Sequence, residues 1–99
     1  MSENEYEIIH HKKSHRFFIK LARGKASYLK YSLEGNVMAI DSTYTPEEFR
    51  GRGLAAQLMR EAIKFARENN YKIKPNCSYA VHYFKKHPED KDLLIEDIE

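Results

Sequence analysis

The chain has 99 residues, 41% of them hydrophobic and 32% charged, with one cysteine and a formal net charge of +2. That length fits a single domain over residues 1–99 and is too short for two separate cores, and a lone cysteine excludes an internal disulfide framework. No run approaches the ~20 apolar residues of a membrane span, and the acidic start, Met1 to Glu5, lacks the regions of a secretory signal, so a reducing, cytoplasmic setting with no membrane partner is expected.

The charge is unevenly spread. Between Ile9 and Leu33 stand Lys12, Lys13, Arg16, Lys20, Arg23, Lys25 and Lys30 with no carboxylate, whereas the stretch from Glu89 to Glu99 is acidic. A basic sheet face can attract an anionic ligand; a solvated face balanced by an acidic tail is the simpler account.

Residues 6–12 read as a short strand, followed by a polar turn at Lys13-Ser14. From Arg16 the pattern alternates, with Phe17, Ile19 and Leu21 on one face and Arg16, Phe18 and Lys20 on the other. Arg23-Gly24-Lys25 predicts a hairpin turn. Ser27 to Leu33 alternates again, setting Leu29, Tyr31 and Leu33 opposite Tyr28, Lys30 and Ser32. After a turn at Glu34-Gly35-Asn36, Val37 to Thr43 is a β-prone run. Thr45-Pro46 ends it, because proline cannot donate to a ladder. The period then lengthens. Ala55, Leu58, Met59, Ala62, Phe65 and Ala66 fall at helical spacing, and Asn69-Asn70 is a helix stop. Tyr71 to Lys74 predicts a strand ended by Pro75. A second helix over about 78–87 buries Ala80, Tyr83, Phe84 and His87, and Leu93-Leu94-Ile95 is too short to assign. The expected class is α+β: an antiparallel meander, a long helix, a strand and a short helix.

The segment Arg50-Gly51-Arg52-Gly53-Leu54-Ala55-Ala56 lies where strand gives way to helix. Small residues admit a ligand close to the backbone, and the first helical N–H groups lack internal partners, which suits a pyrophosphate. A P-loop would need Gly-Lys-Ser/Thr where Gly53-Leu54-Ala55 stands. Gly51-x-Gly53-x-x-Ala56 fits the dinucleotide fingerprint formally. That fingerprint follows a parallel strand directly and needs an acid ending the next strand, whereas here Pro46 to Arg50 intervene and the next strand ends Lys72-Ile73-Lys74.

Arg50-x-x-Gly53-x-Ala55 resembles the pyrophosphate loop of the GNAT acetyltransferase superfamily, and so does the order of elements from Val37 to Pro88. The segment Pro75-Asn76-Cys77-Ser78-Tyr79 is similar to the Pro-x-Cys-x-Tyr segment of its smallest members. The resemblance implies a GNAT-like fold that binds acetyl-CoA, with the amides of Arg52, Gly53, Leu54 and Ala55 on the pyrophosphate beside Arg50 and Gly51. It also implies Ser42, Thr43, Tyr44 and Thr45 along the pantetheine, and Asn76 and Lys85 among the cofactor contacts, with the adenosine end near Lys85 and Lys86. The implied activity is N-acetyl transfer to an amine, small molecule or protein, by a monomer or homodimer. Two departures qualify it. Tyr6 to Thr43 leaves no room for the two helices that usually wall the acceptor site. In Ala80-Val81-His82-Tyr83-Phe84-Lys85, Phe84 stands where the family's proton-donating tyrosine is usual.

Acyl transfer from a thioester to an amine needs a neutral amine, an oxyanion partner and a proton for the departing thiolate. Cys77, before the second helix, is a candidate nucleophile or proton donor, since helix starts favour thiolates; a small buried residue is the plain alternative. Tyr79 and Tyr83 are candidate donors that also fit an apolar face. His82 is a candidate base that otherwise reads as a solvated helix residue. Asp41 and Glu47 can order a water near the thioester or serve as ordinary loop acids. His10 and His11 are strand neighbours that point to opposite faces, and no metal is expected. A non-catalytic CoA-binding or sensor module is the alternative function. Nucleic-acid binding through the basic strands, with Tyr28 and Tyr31 as stacking platforms, would leave the Arg50–Ala55 loop unexplained and is not expected.

Overall fold

The computed structural model describes residues 6–96; the start over Met1–Glu5 and the last carboxylates, Asp97 and Glu99, lie outside them. Four strands pair antiparallel in chain order: β1 (Ile9–His11), β2 (Arg16–Ala22), β3 (Lys25–Glu34) and β4 (Val37–Tyr44). The helix α1 (Leu54–Glu68) returns the chain to β5 (Lys72–Pro75), which lies parallel to β4 at the sheet edge, and α2 (Ser78–Lys86) follows. This is the α+β order expected from the change of period.

Alternation along the strands sends one set of side chains into a single core. Phe17 pairs across from Leu29, Tyr31 from Ile40 and Met38 from Ile73, and all six are buried. Leu58, Met59, Ala62 and Ala66 of α1 and Ala80 and Phe84 of α2 close over them. Each large apolar side chain buried there contributes ~1.5–3 kcal/mol. Because the core lies on one face, both helices pack there, side by side along a groove that Ile63 and Tyr83 both line. The opposite face carries Arg16, Phe18, Lys20, Tyr28 and Lys30, and no helix among the described residues covers it. None of the described helices is long and apolar enough to cross a membrane.

The buried position of Tyr31, only 2% exposed, removes it as a stacking platform. Its hydroxyl lies 2.6 Å from Nε2 of His10, whose ring stacks on Phe17 at 3.9 Å. His11 points the other way, to Ser14.

The tail is more ordered than its composition implies. Pro88–Leu93 forms a 3-10 helix, Leu93 is buried, and the Ile95 N–H donates to the Ile73 carbonyl at 3.0 Å. The Arg67 guanidinium donates to Asp90 and Asp92 at 3.0 and 2.9 Å, which holds its ionisation well above the usual arginine range. Lys72 Nζ donates to the Asp92 carbonyl at 2.9 Å. Part of the acidic end is therefore a clamp on α1 and β5.

Candidate functional site

The site begins where β4 and β5 part. Their ladder runs from Val37–Lys72 to Ile40–Pro75, and its last bond joins the Asn76 N–H to the Ile40 carbonyl at 3.0 Å. Beyond it the chain turns into α2, while β4 continues through Ser42, Thr43 and Tyr44, which among the described residues pair with β3 alone. The β3–β4 register shifts between Lys30 and Tyr31, so Asp41 is an extra residue on β4. Asn76 Nδ2 donates to Asp41 Oδ1 at 3.3 Å across the gap. The outcome is a stretch of strand whose outer edge lacks a partner among the described residues, a surface that an extended amide-bearing ligand can extend.

Thr45 ends this edge under firm restraint. Buried Ser27 shares a hydrogen bond with its hydroxyl at 2.8 Å and donates to the Tyr44 carbonyl at 2.9 Å. The Thr45 carbonyl accepts from Arg50 Nε at 2.9 Å. A 3-10 turn over Glu47–Phe49 then leads into the loop, and Glu48 is ion-paired with Lys25 of the β2–β3 hairpin.

Gly51 and Gly53 adopt φ values of +84° and +76°, a left-handed conformation that costs other residues roughly 1–2 kcal/mol. A Cβ at either position would meet nothing within 4 Å, so open space lies beside the loop. Gly53 caps α1 without any side-chain bond, and the first helical acceptor is its own carbonyl, bonded by the Gln57 N–H at 3.1 Å. Among the described residues the amides of Arg52, Gly53, Leu54 and Ala55 have no backbone acceptor, and no acid occupies the first turn. Free donors, the positive end of a 15-residue helix and two arginines together suit an anion. Arg52 is held with its guanidinium 5.0 Å over the Phe49 ring and Nη1 3.4 Å from the Tyr6 hydroxyl.

A cavity of about 210 Å3 joins Thr45, Arg50, Gly51, Gly53, Leu54 and Ala55 to Tyr79 on the first turn of α2. Ser42, Thr43 and Tyr44 form the strand edge leading to it, and Asn76 stands at the parting of the strands. Cys77 is the half-buried N-cap of α2; its carbonyl accepts from Val81 at 3.2 Å and its thiol makes no cap bond. Burial, reinforced by Tyr83, pushes the Tyr79 hydroxyl above the usual tyrosine range. Of the predicted residues, Thr45, Arg50, Gly51, Gly53, Leu54, Ala55 and Tyr79 line the cavity and the others do not; Tyr83 and Lys85 lie elsewhere. Tyr83 is buried, stacks on His87 at 4.0 Å and lines a separate groove of about 470 Å3 with Arg60, Arg67 and Asp90; burial, then the Asp90 charge, raises its hydroxyl too. Lys85 is exposed on the last turn of α2. Phe84 is fully buried in the core.

Sequence reasoning missed Ser27 and Tyr6. Ser27 occupies an inward position of β3 where the alternation calls for an apolar residue, and that mismatch was the available signal. Tyr6 carries none, because its contact with Arg52 spans 46 positions of chain.

Known proteins share both sequence and architecture with this one. The family profile described as GCN5-related N-acetyl-transferase matches residues 16–93. Protein NATD1 of Danio rerio is 30% identical over 88 residues, covering 87% of this chain and 80% of its own. Protein NATD1 of Gallus gallus is 27% identical over 84 residues, covering 83% and 76%. The NMR solution structure of a GCN5-like protein from Staphylococcus aureus, described as a proposed N-acetyltransferase, superimposes with a TM-score of 0.78 at 28% identity, covering 99% of this chain and 95% of that one. On this match of sequence and fold, the chain belongs to the GCN5-related N-acetyltransferase family.

Proposed function

We propose that the protein transfers an acetyl group from acetyl-CoA to an amine. The observation that carries this reading is the conjunction of a vacated strand edge with an uncapped, glycine-bearing helix start, joined by one cavity. In this reading the amides of Arg52 to Ala55 hold the pyrophosphate, with the charge of Arg50 and Arg52 behind them. The backbone of Ser42 to Thr45 accompanies the pantetheine, and Lys85 and Lys86 face the adenosine end. Asn76, Cys77 and Tyr79 then surround the acetyl thioester.

Acetyl-CoA supplies an activated acyl group; the protein must move two protons. The C–N bond forms as the C–S bond breaks, the amine loses a proton and the departing thiolate gains one. Asp41, oriented by Asn76, can take the amine's proton through water. Tyr79, whose hydroxyl burial pushes above the usual tyrosine range, can give one to the thiolate. Its place on the cavity wall favours it over Tyr83, which faces Arg60. Cys77 enters as acetyl acceptor or as a second proton source.

Gly53→Glu tests the binding half, because it puts a side chain and a like charge where phosphate must approach. Calorimetry should show acetyl-CoA affinity falling by at least ~tenfold in a variant with an unchanged circular dichroism spectrum. Unchanged affinity would contradict the assignment. Arg52→Ala should weaken binding less, and more visibly at low salt. The second reading, a non-catalytic acetyl-CoA-binding module, is favoured by Phe84, whose buried ring replaces the usual proton donor. Tight acetyl-CoA binding with no amine-dependent release of CoA would establish it.

A further inference from the structure

The uncovered face of the sheet is strongly and specifically charged. Arg16 and Lys30 stand directly opposite each other on β2 and β3, with Lys20 farther along β2 and Lys74 on β5, and all four are exposed. None of them is ion-paired with a carboxylate among the described residues. Like charges at one cross-strand position destabilise a sheet. Phe18, Tyr28 and Tyr44 lie between the cations, with Arg16 5.9 Å over the Tyr28 ring and Tyr28 5.6 Å from Tyr44. Glu34 sits at the far end of β3. At the parting of β4 and β5 the charge reverses, for Asp41 lies beyond Ser42, the residue paired with Lys30.

We propose that this face docks the acceptor, and that the acceptor is an acidic polypeptide segment presenting one amine. The proposal rests on the acetyl-transfer reading above, because that reading puts the reacting amine at the strand parting. Carboxylates flanking the amine meet Arg16, Lys20, Lys30 and Lys74, while the ammonium itself is drawn to Asp41. Aromatic rings between the cations supply apolar contact for an extended chain. The same field repels polyamines and Lys- or Arg-rich tails, so specificity comes from repulsion as well as attraction. A nucleic acid matches the cations but offers no aliphatic amine to an acetyl thioester, which makes a polypeptide the better occupant.

Two labelled peptides test this, each with a single lysine, one flanked by Glu and Asp and the other by Arg. Fluorescence anisotropy with protein free of acetyl-CoA reads docking, release of CoA reads transfer, and calorimetry with acetyl-CoA reads the cofactor site separately. The acidic peptide should bind at least ~tenfold tighter than the basic one, with a preference that shrinks as salt rises. Lys30→Glu should remove most of that preference and leave acetyl-CoA affinity unchanged. It should also raise Tm, since Arg16 then faces an opposite charge. Equal binding of the two peptides, or displacement of the acidic peptide by a single-stranded oligonucleotide at lower concentration, would overturn the proposal. Acidic-peptide docking without transfer would uphold the surface and count against the acetyl-transfer reading instead.

Discussion

Tyr79→Phe should lower kcat by roughly a hundredfold with little change in acetyl-CoA affinity, the scale expected for loss of a general acid. With its hydroxyl raised above the ordinary value of 10.0, Tyr79 should keep activity into alkaline solution, and a steady-state pH profile reads both effects. Retention of the full rate would remove Tyr79 from the chemistry. Cys77 divides by product: incubation with acetyl-CoA alone should add one acetyl group by intact mass if the thiol is the acceptor, and none if it only gives a proton. Wild-type turnover by Cys77→Ala would leave it as packing. Far from the site, burial of His10, with Lys12 and His15 adding to it, lowers its pKa below the usual 6.5. The unfolded chain therefore binds the proton more readily, so this contribution is complete above about pH 6.5 and declines as pH falls toward the folded value. Urea unfolding at acidic and neutral pH should show that loss in the wild type and a smaller one in His10→Gln; equal slopes would contradict it.

At the scale of elements, the decisive event is the separation of β5 from β4. Proline and the Asn76-Cys77 turn end β5, while the register shift at Asp41 lets β4 run on against β3. Only the first half of this was legible in the sequence: Pro75 announces the end of a strand, but nothing local says that its partner continues. The loop itself was legible, since Gly51 and Gly53 need the left-handed conformation and sit just ahead of a helical period. The tail was not, because Leu93-Leu94-Ile95 becomes structured only by reaching back to Ile73 and through the grip of Arg67 on Asp90 and Asp92. Exposed ion pairs contribute little singly, so Arg67→Ala should lower Tm by only a few degrees while loosening the tail. Hydrogen exchange at the Ile95 amide would register that loosening, and unchanged protection there would show that the apolar contacts of Leu93 suffice.

For the molecule as a whole, one-sided packing ties fold to function. Alternation in β2 and β3 correctly separates inward from outward residues, and, as the shortage of chain before β4 implies, no helix precedes β4 among the described residues. What alternation alone does not say is which outward positions share a surface with the parted strands. That required the register linking Arg16 to Lys30 and Lys30 to Ser42. In the proposed function, acetyl-CoA meets the protein along β4 and at the start of α1. Titration of 15N-labelled protein with acetyl-CoA, followed by amide shifts, tests it most directly. The largest changes are expected at Arg52, Gly53, Leu54 and Ala55, continuing through Ser42 to Thr45, with β1 and the tail unmoved. Saturable shifts centred instead on the Arg60–Tyr83 groove, with the loop amides silent, would contradict it.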